Sequence, residues 1–242
     1  MKHFHRHLTL CLLLALCLTL FVLPASAASM GYSVPGGQLF FDPATGTVTG
    51  YEGELTDLDI PAEIYGVPVT AIRYNAFRNC KTLTSITFPD TLTAIGSQAF
   101  LNCSSLTSIY LPDSVTTMEE SAFRGCGALT DARLSANLTE LSDMVFCDCG
   151  SLTSLDIPEG VTAIGTRALT NTGLIRIVLP DSVVSVGKMA FAGSTQLTYV
   201  DFGQISSLGS LVVEGCDIHT HCLLQCVSLK RRFWGIYALS LF

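Results

Sequence analysis

The stretch IGSQAFLNCSSLTSIYLPD, Ile95 to Asp113, decides the fold, because the chain writes it several times with a cysteine held at one place. Cys80, Cys103, Cys126 and Cys149 lie 23 residues apart, and each follows a phenylalanine by three: Phe77, Phe100, Phe123 and Phe146. Leu83, Leu106, Leu129, Leu152, Leu174 and Leu197 mark a second column, and Ile86, Ile109, Ala132, Leu155, Ile177 and Val200 a third. One copy, shortened by a deletion after Thr172, has 22 residues. Upstream, LTDLDIP (Leu55–Pro61) aligns with LTSITFP (Leu83–Pro89) at an offset of 28, so the first copy carries five extra residues around YGVPV. Self-similarity at such a period marks a repeat protein, here with seven strand segments.

Within a copy, the alternation of Leu106, Ile109 and Leu111 is that of a strand with one buried face. Pro112, lacking an N–H, ends it. Val115 and Met118 then form a second inward pair, and a short turn or helical turn drops Ala122 and Phe123 into the core. No copy can bury these columns alone, whereas stacked copies can. The pattern predicts a solenoid with a parallel β ribbon along residues 55–217. Before it, QLFFDPATGTVTGYEGEL (Gln38–Leu55) alternates around a Pro/Gly turn and predicts a capping hairpin within 28–54.

The order L-x-x-I-x-L-P, V-x-x-I-G, A-F-x-x-C, as in LTSIYLPDSVTTMEESAFRGC (Leu106–Cys126), resembles the BspA-type leucine-rich repeat from Leu55 to about Cys216. The resemblance implies a leucine-rich-repeat solenoid of about seven 22–23-residue repeats in a secreted or surface-attached, adhesin-like bacterial protein. Its partners would be a host matrix protein, a glycan or another cell-surface protein. The chain departs from the pattern at Asn137, where LSANL replaces LPDSV, and at Leu169 and Thr172, where ALTNT replaces A-F-x-x-C.

The termini carry other signals. Lys2 and Arg6 precede the apolar run Leu8–Leu23, and Ala25–Ala27 supply small residues, the layout of a signal peptide spanning 1–27. That run is too short to be a good membrane span, so no stable span is expected in the mature chain. At the other end, residues 218–242 read as an irregular apolar tail, truncated or frameshifted, where the repeat register stops. CDIHTHCLLQC (Cys216–Cys226) offers thiols and imidazoles, but its spacing matches no familiar zinc motif. Neither a metal nor a cofactor is expected.

Five of the 13 basic residues, Lys2, Arg6, Lys230, Arg231 and Arg232, lie outside the repeats and cap, leaving 8 against all 20 acids, a net charge of −12. Such a surface repels nucleic acid. Residues 28–217 also contain no histidine, so neither a Ser-His-Asp nor a Cys-His centre can be assembled. An enzyme is not expected; the adjacent acids Asp57/Asp59 and Glu119/Glu120 read as solvated charges. The expected function is noncatalytic recognition, with a structural repeat fragment lacking a ligand as the alternative.

Outward columns of the ribbon run Thr87, Tyr110, Arg133, Asp156, Val178, Asp201 and Ser85, Ser108, Asp131, Ser154, Arg176, Tyr199. Tyr110, Arg133, Arg176, Tyr199 and Asp156 are the candidate ligand-binding residues, because Tyr and Arg dominate interface hot spots. Arg78 and Arg124 fall in turns away from the ribbon. The register cysteines are read as a ladder of buried, unbridged thiols, with disulfides between neighbouring copies as the alternative and the CDC motif, whose Cys147 lies outside the register, as the exception. Thr172 and Ser194 at the same site indicate that the turn requires a small hydrogen-bond donor.

Overall fold

Each repeat distributes its apolar residues over three short segments, and in the computed structural model, which describes residues 29–218, these become the three sides of a β-solenoid of about seven turns. Expectations for the signal peptide, and for the tail beyond Ile218, lie outside those residues. The described residues contain no helix; the third side is built from turns.

The front side holds the strands Asp57–Asp59, Ser85–Thr87, Ser108–Tyr110, Asp131–Arg133, Arg176–Val178 and Tyr199–Asp201. They pair in parallel, residue for residue, as three two-stranded sheets: Asp57–Asp59 with Ser85–Thr87, Ser108–Tyr110 with Asp131–Arg133, and Arg176–Val178 with Tyr199–Asp201. The back side holds two-residue strands, among them Ala71–Ile72, Ala94–Ile95, Thr117–Met118, Ala163–Ile164 and Ser185–Val186, again parallel. Threonines begin both sides. The hydroxyl of Thr107 donates to the carbonyl of Thr84 and that of Thr130 to Thr107 on the front. On the back Thr93 donates to Thr70 and Thr162 to Thr139. A side chain thus adds a donor to the ladder at each corner, where the backbone leaves the strand.

One expectation needs correction. The segment Ser154–Asp156 is not a strand, so the front ribbon lacks its fifth strand instead of running through seven, and the ladder also lapses between Ser85–Thr87 and Ser108–Tyr110. The interruption follows LSANL. Ser135 replaces the strand-ending proline and takes the Asn137 N–H on its hydroxyl, while the Asn137 side chain donates to the carbonyl of Asp113. Ala132, in the isoleucine column, is only half-buried, so that position packs less firmly than Ile109.

The turn side carries the core. Gln98, Phe100 and Asn102 donate their N–H groups to the carbonyls of Glu120, Ala122 and Arg124 in the following turn, at 2.9, 2.8 and 2.7 Å. The intervening Ala99, Leu101 and Cys103 donate within their own turn. Making alternate groups point forward requires two left-handed residues per turn. The second of these sites is Asn79, Asn102, Gly125, Asp148, Asn171, Gly193 and Gly215, the residue types that tolerate positive φ. Gly125 and Gly193 have a further reason: a Cβ there would lie 2.3 and 2.1 Å from the amide oxygens of Asn102 and Asn171 in the preceding turns.

Phe77, Phe100, Phe123 and Phe146 are fully buried and stack face to face, with centroids 5.1, 5.0 and 5.8 Å apart, and Tyr51 caps the column at 5.6 Å from Phe77. Beside them the thiols of Cys103, Cys126 and Cys149 donate to the carbonyls of Phe77, Phe100 and Phe123 at 3.1, 3.3 and 3.2 Å. The six described cysteines are free. Where Leu169 replaces phenylalanine, Thr172 and Ser194 replace cysteine, and both hydroxyls donate to the Leu169 carbonyl at 3.1 Å.

The cap has three strands, β1 (Met30–Val34), β2 (Gly37–Asp42) and β3 (Thr47–Gly53), paired antiparallel. Thr47 and Val48 then pair in parallel with Ala71–Ile72, so the cap covers the outer edge of the back side and leaves the front edge at Asp57–Asp59 free of it. The five extra residues of the first copy lie in a tight hairpin with Tyr65 and Gly66 at φ 54° and 75°. Its Tyr65 packs edge-on against Tyr32 and donates its hydroxyl to the Gly31 carbonyl, tying the cap to the first turn.

Two outcomes are expected. Phe100→Ala or Phe123→Ala opens a cavity between two stacked rings and should cost about 3–5 kcal/mol in urea unfolding. Burial raises the thiol pKa of Cys149 to about 12, and that of Cys216 to about 11. A thiol near its ordinary value of roughly 8.5 ionises first in the unfolded chain, which then binds fewer protons than the folded one. Stability should therefore be full below about pH 8.5 and fall as pH rises toward 11 to 12. Melting temperature against pH checks this, with the Cys149→Ser variant flatter than the parent.

Candidate functional site

The front ribbon buries Ile86, Ile109, Ile177 and Val200 and turns their neighbours outward. Tyr110 is 52% exposed although aromatic. Its hydroxyl donates to Oδ2 of Asp131 on the next strand at 2.5 Å, which fixes the ring across the face. That carboxylate bond is the main reason the Tyr110 phenol titrates above its ordinary value, since ionising the donor would place two negative charges together. Arg133 stands directly opposite Tyr110 in register. Two strand positions further on, the Arg176 guanidinium lies over the Tyr199 ring, 5.1 Å from its centroid, a cation–π contact between register partners. Ile175 and Val178 beside it are 52% and 48% exposed.

Four of the five sequence-derived candidates therefore fall into two groups rather than one. Tyr110 and Arg133 adjoin, and so do Arg176 and Tyr199, but the interruption separates the groups by two strand spacings, roughly 10 Å. Asp156, the fifth, is exposed within the interruption and belongs to no strand. Sequence reasoning placed Asp131 in an outward column without assigning it the phenol contact. It also missed the depression beside Tyr110, a cleft of about 450 Å³ to which Phe88, Asp90, Ser114 and Arg133 contribute. The signal available for it was the departure at Ser135–Asn137 in the adjoining turn.

A second depression, of about 440 Å³, lies on the turn side among Arg124, Met144, Cys147, Asp148, Arg167 and Met189. Two of its charges, Arg124 and Asp148, are spent on one another. Arg124 Nε meets Asp148 Oδ2 at 3.3 Å, and Asn171 donates to Oδ1 at 2.8 Å. Burial opposes ionisation of Asp148, but these hydrogen bonds and the guanidinium hold its pKa below the ordinary value. Cys147 is buried with its thiol raised to about 11, first by burial and then by Asp148, so it is not an activated nucleophile. Among the described residues no group of three or more His, Cys, Asp and Glu is placed to hold a metal, and no helix is long and apolar enough to cross a membrane. Cys216 donates to the Phe191 carbonyl at 3.1 Å, while the rest of the Cys216–Cys226 motif beyond Ile218 lies outside the described residues.

The parallel ribbon, the turn-side ladder and the repeated leucine column define a leucine-rich-repeat solenoid. The chain belongs to the BspA-type leucine-rich repeat family, whose model, in six copies, matches residues 51–174 and 162–231. Its structure is similar to that of a leucine-rich repeat protein of T. pallidum, with a TM-score of 0.74 and 26% identity over 83% of this chain and 96% of the other. It is also similar to a leucine-rich cell-surface protein of Faecalibacterium prausnitzii, with a TM-score of 0.53 and 32% identity over 73% of this chain and 55% of the other. No protein of curated description matches the sequence.

Because Asp131 holds the Tyr110 phenol, Asp131→Asn should return that phenol toward its ordinary titration range. Absorbance titration near 295 nm, compared between parent and variant, should show one tyrosine ionising at lower pH in the variant.

Proposed function

We propose that this protein is a noncatalytic, extracellular recognition module that binds a protein or glycan partner through its front ribbon. The observation that carries the reading is the pair of organised, exposed groups on that face, Tyr110 with Asp131 and Arg133, and Arg176 with Tyr199. Large aromatic and guanidinium side chains held in place before binding lose little freedom on contact, the property of interface hot spots. Exposed Ile175 and Val178 add apolar area beside the second group. Extracellular placement is supported by the signal-peptide layout of 1–27 and by the similarity to a cell-surface protein. The family and the lack of histidine in residues 28–217 support a noncatalytic role.

The test is capture of the purified chain on a panel of immobilised matrix proteins. Tyr110→Ala, Arg133→Ala, Arg176→Ala and Tyr199→Ala are compared with Arg78→Ala and Arg124→Ala on the turn side. At least one ribbon variant should weaken binding by about 2 kcal/mol, some 30-fold, while both turn-side variants bind as the parent does. Unchanged binding in all four ribbon variants, with unchanged melting, would exclude the front face.

A further inference from the structure

We propose that the cleft beside Tyr110 and Arg133 is a subsite for one residue of a neutral saccharide; this rests on the front ribbon being the recognition face. Its volume of about 450 Å³ falls within the roughly 300–1,000 Å³ of small-ligand sites. One wall is the Tyr110 ring, held by its bond to Asp131, and Phe88 and Pro112 extend the apolar floor. Arg133 and Asp90 stand on the rim, and neither forms an ion pair among the described residues.

The third element is an unsatisfied group. At the equivalent place in other turns, the Thr91 and Ser182 hydroxyls donate to the carbonyls of Val69 and Val161 at 2.7 Å. Ser114 occupies the same column and lines the cleft, yet its Oγ is buried without a partner. A buried hydroxyl left unpaired costs stability, so the turn that walls the cleft is tied to its neighbour less firmly than the turns of Thr91 and Ser182. The adjoining turn also departs from the repeat, with Asp113 held by the Ala136 N–H and the Asn137 amide, so the cleft borders a turn whose sequence leaves the repeat pattern.

The chemistry selects the ligand. A pyranose offers a face of C–H groups for the electron-rich face of a tyrosine, and hydroxyls at its edge that donate to a carboxylate and accept from a guanidinium. Asp90, Asp113 and Asp131 outnumber Arg133 around the cleft, and the described residues carry a net charge of −12, which disfavours sialylated or sulfated sugars. Arg133 offers only donors, which the donor-only side chains of a lysine- or arginine-rich peptide cannot use, whereas a sugar hydroxyl accepts from it. An uncharged sugar fits both conditions.

The cleft is open, so single-site affinity is weak and the probe must be multivalent. The full chain, tetramerised through a biotin tag, is applied to an array printed at high density with neutral, sialylated and sulfated oligosaccharides. Neutral spots should retain the protein in preference to acidic ones. Tyr110→Ala and Arg133→Ala should each lower retention at least tenfold. Tyr110→Phe, which keeps the ring and loses its anchor, should lower it severalfold. Tyr74→Ala and Arg78→Ala, at exposed positions on the turn side, should retain as the parent does, with all melting temperatures measured. No glycan retained, retention of acidic glycans alone, or retention indifferent to Tyr110→Ala at unchanged melting would each overturn the saccharide subsite. Matrix-protein capture that depends on Arg176 and Tyr199 without glycan capture would overturn the subsite and leave the recognition module standing.

Discussion

One carbonyl oxygen per turn sets the terms for this solenoid. The phenylalanine of the core column turns its C=O into the interior, where water cannot reach it, and a carbonyl has two lone pairs to satisfy. The first takes the N–H of the cysteine three residues on, as Phe100 takes that of Cys103. The second takes the thiol of the next turn's cysteine, as Phe100 takes that of Cys126. A small side chain with a donor, at one depth and one register, is therefore required in every copy, and that explains a repeated cysteine without redox chemistry. At Ser194 a hydroxyl substitutes, donating to the Leu169 carbonyl of the preceding turn, while that of Thr172 donates to the same carbonyl from within its own turn.

That constraint locks adjacent turns in register, and stacking of Phe77, Phe100, Phe123 and Phe146 follows, with interplanar angles of 3°, 1° and 11°. Register in turn makes every outward residue of the front ribbon a neighbour of its counterpart one repeat on. Tyr110 meets Asp131, and Arg176 meets Tyr199, because a three-residue strand places them on adjacent rungs. The backbone that carries these groups is held by the turn side and by the threonine donors at the corners, so the face can vary in sequence without unsettling the core. The acidic residues that dominate the rest of the surface repel anions, and of the few arginines the two on the front-ribbon strands, Arg133 and Arg176, stand beside aromatic rings.

Local departures from the repeat do opposite things. The five residues added around Tyr65 stabilise an end, since they clamp β1 to the first turn. The replacement of LPDSV by LSANL loosens the middle, removing a strand from the ribbon at Ser154–Asp156 and bordering the cleft at Tyr110. A strictly regular ribbon would offer a flat face; it is the irregular turn that gives this one relief.

The sequence by itself determined the period, the seven segments, the buried columns and the capping hairpin, because each is a matter of which residues must leave water together, and that recurs at a spacing visible in one dimension. It also determined the chemistry of the cysteine site, since Thr172 and Ser194 in the same column reveal a need for a donor. The left-handed sites emerged only in the structure, at the Asn, Gly or Asp that precedes each column cysteine, Thr172 or Ser194 and at companion sites such as Gln98, Met144 and Leu211, which carry no sequence signature. Only the tertiary structure decided that the ribbon breaks at Ser154–Asp156, that the cap pairs with the back side and not the front, and that Tyr110 bonds to Asp131 while the Ser114 hydroxyl is left without a partner. Those outcomes depend on distances between turns, on whether a hydroxyl one repeat away comes within about 3 Å of its acceptor or stops short, and such differences are set by packing across the whole stack.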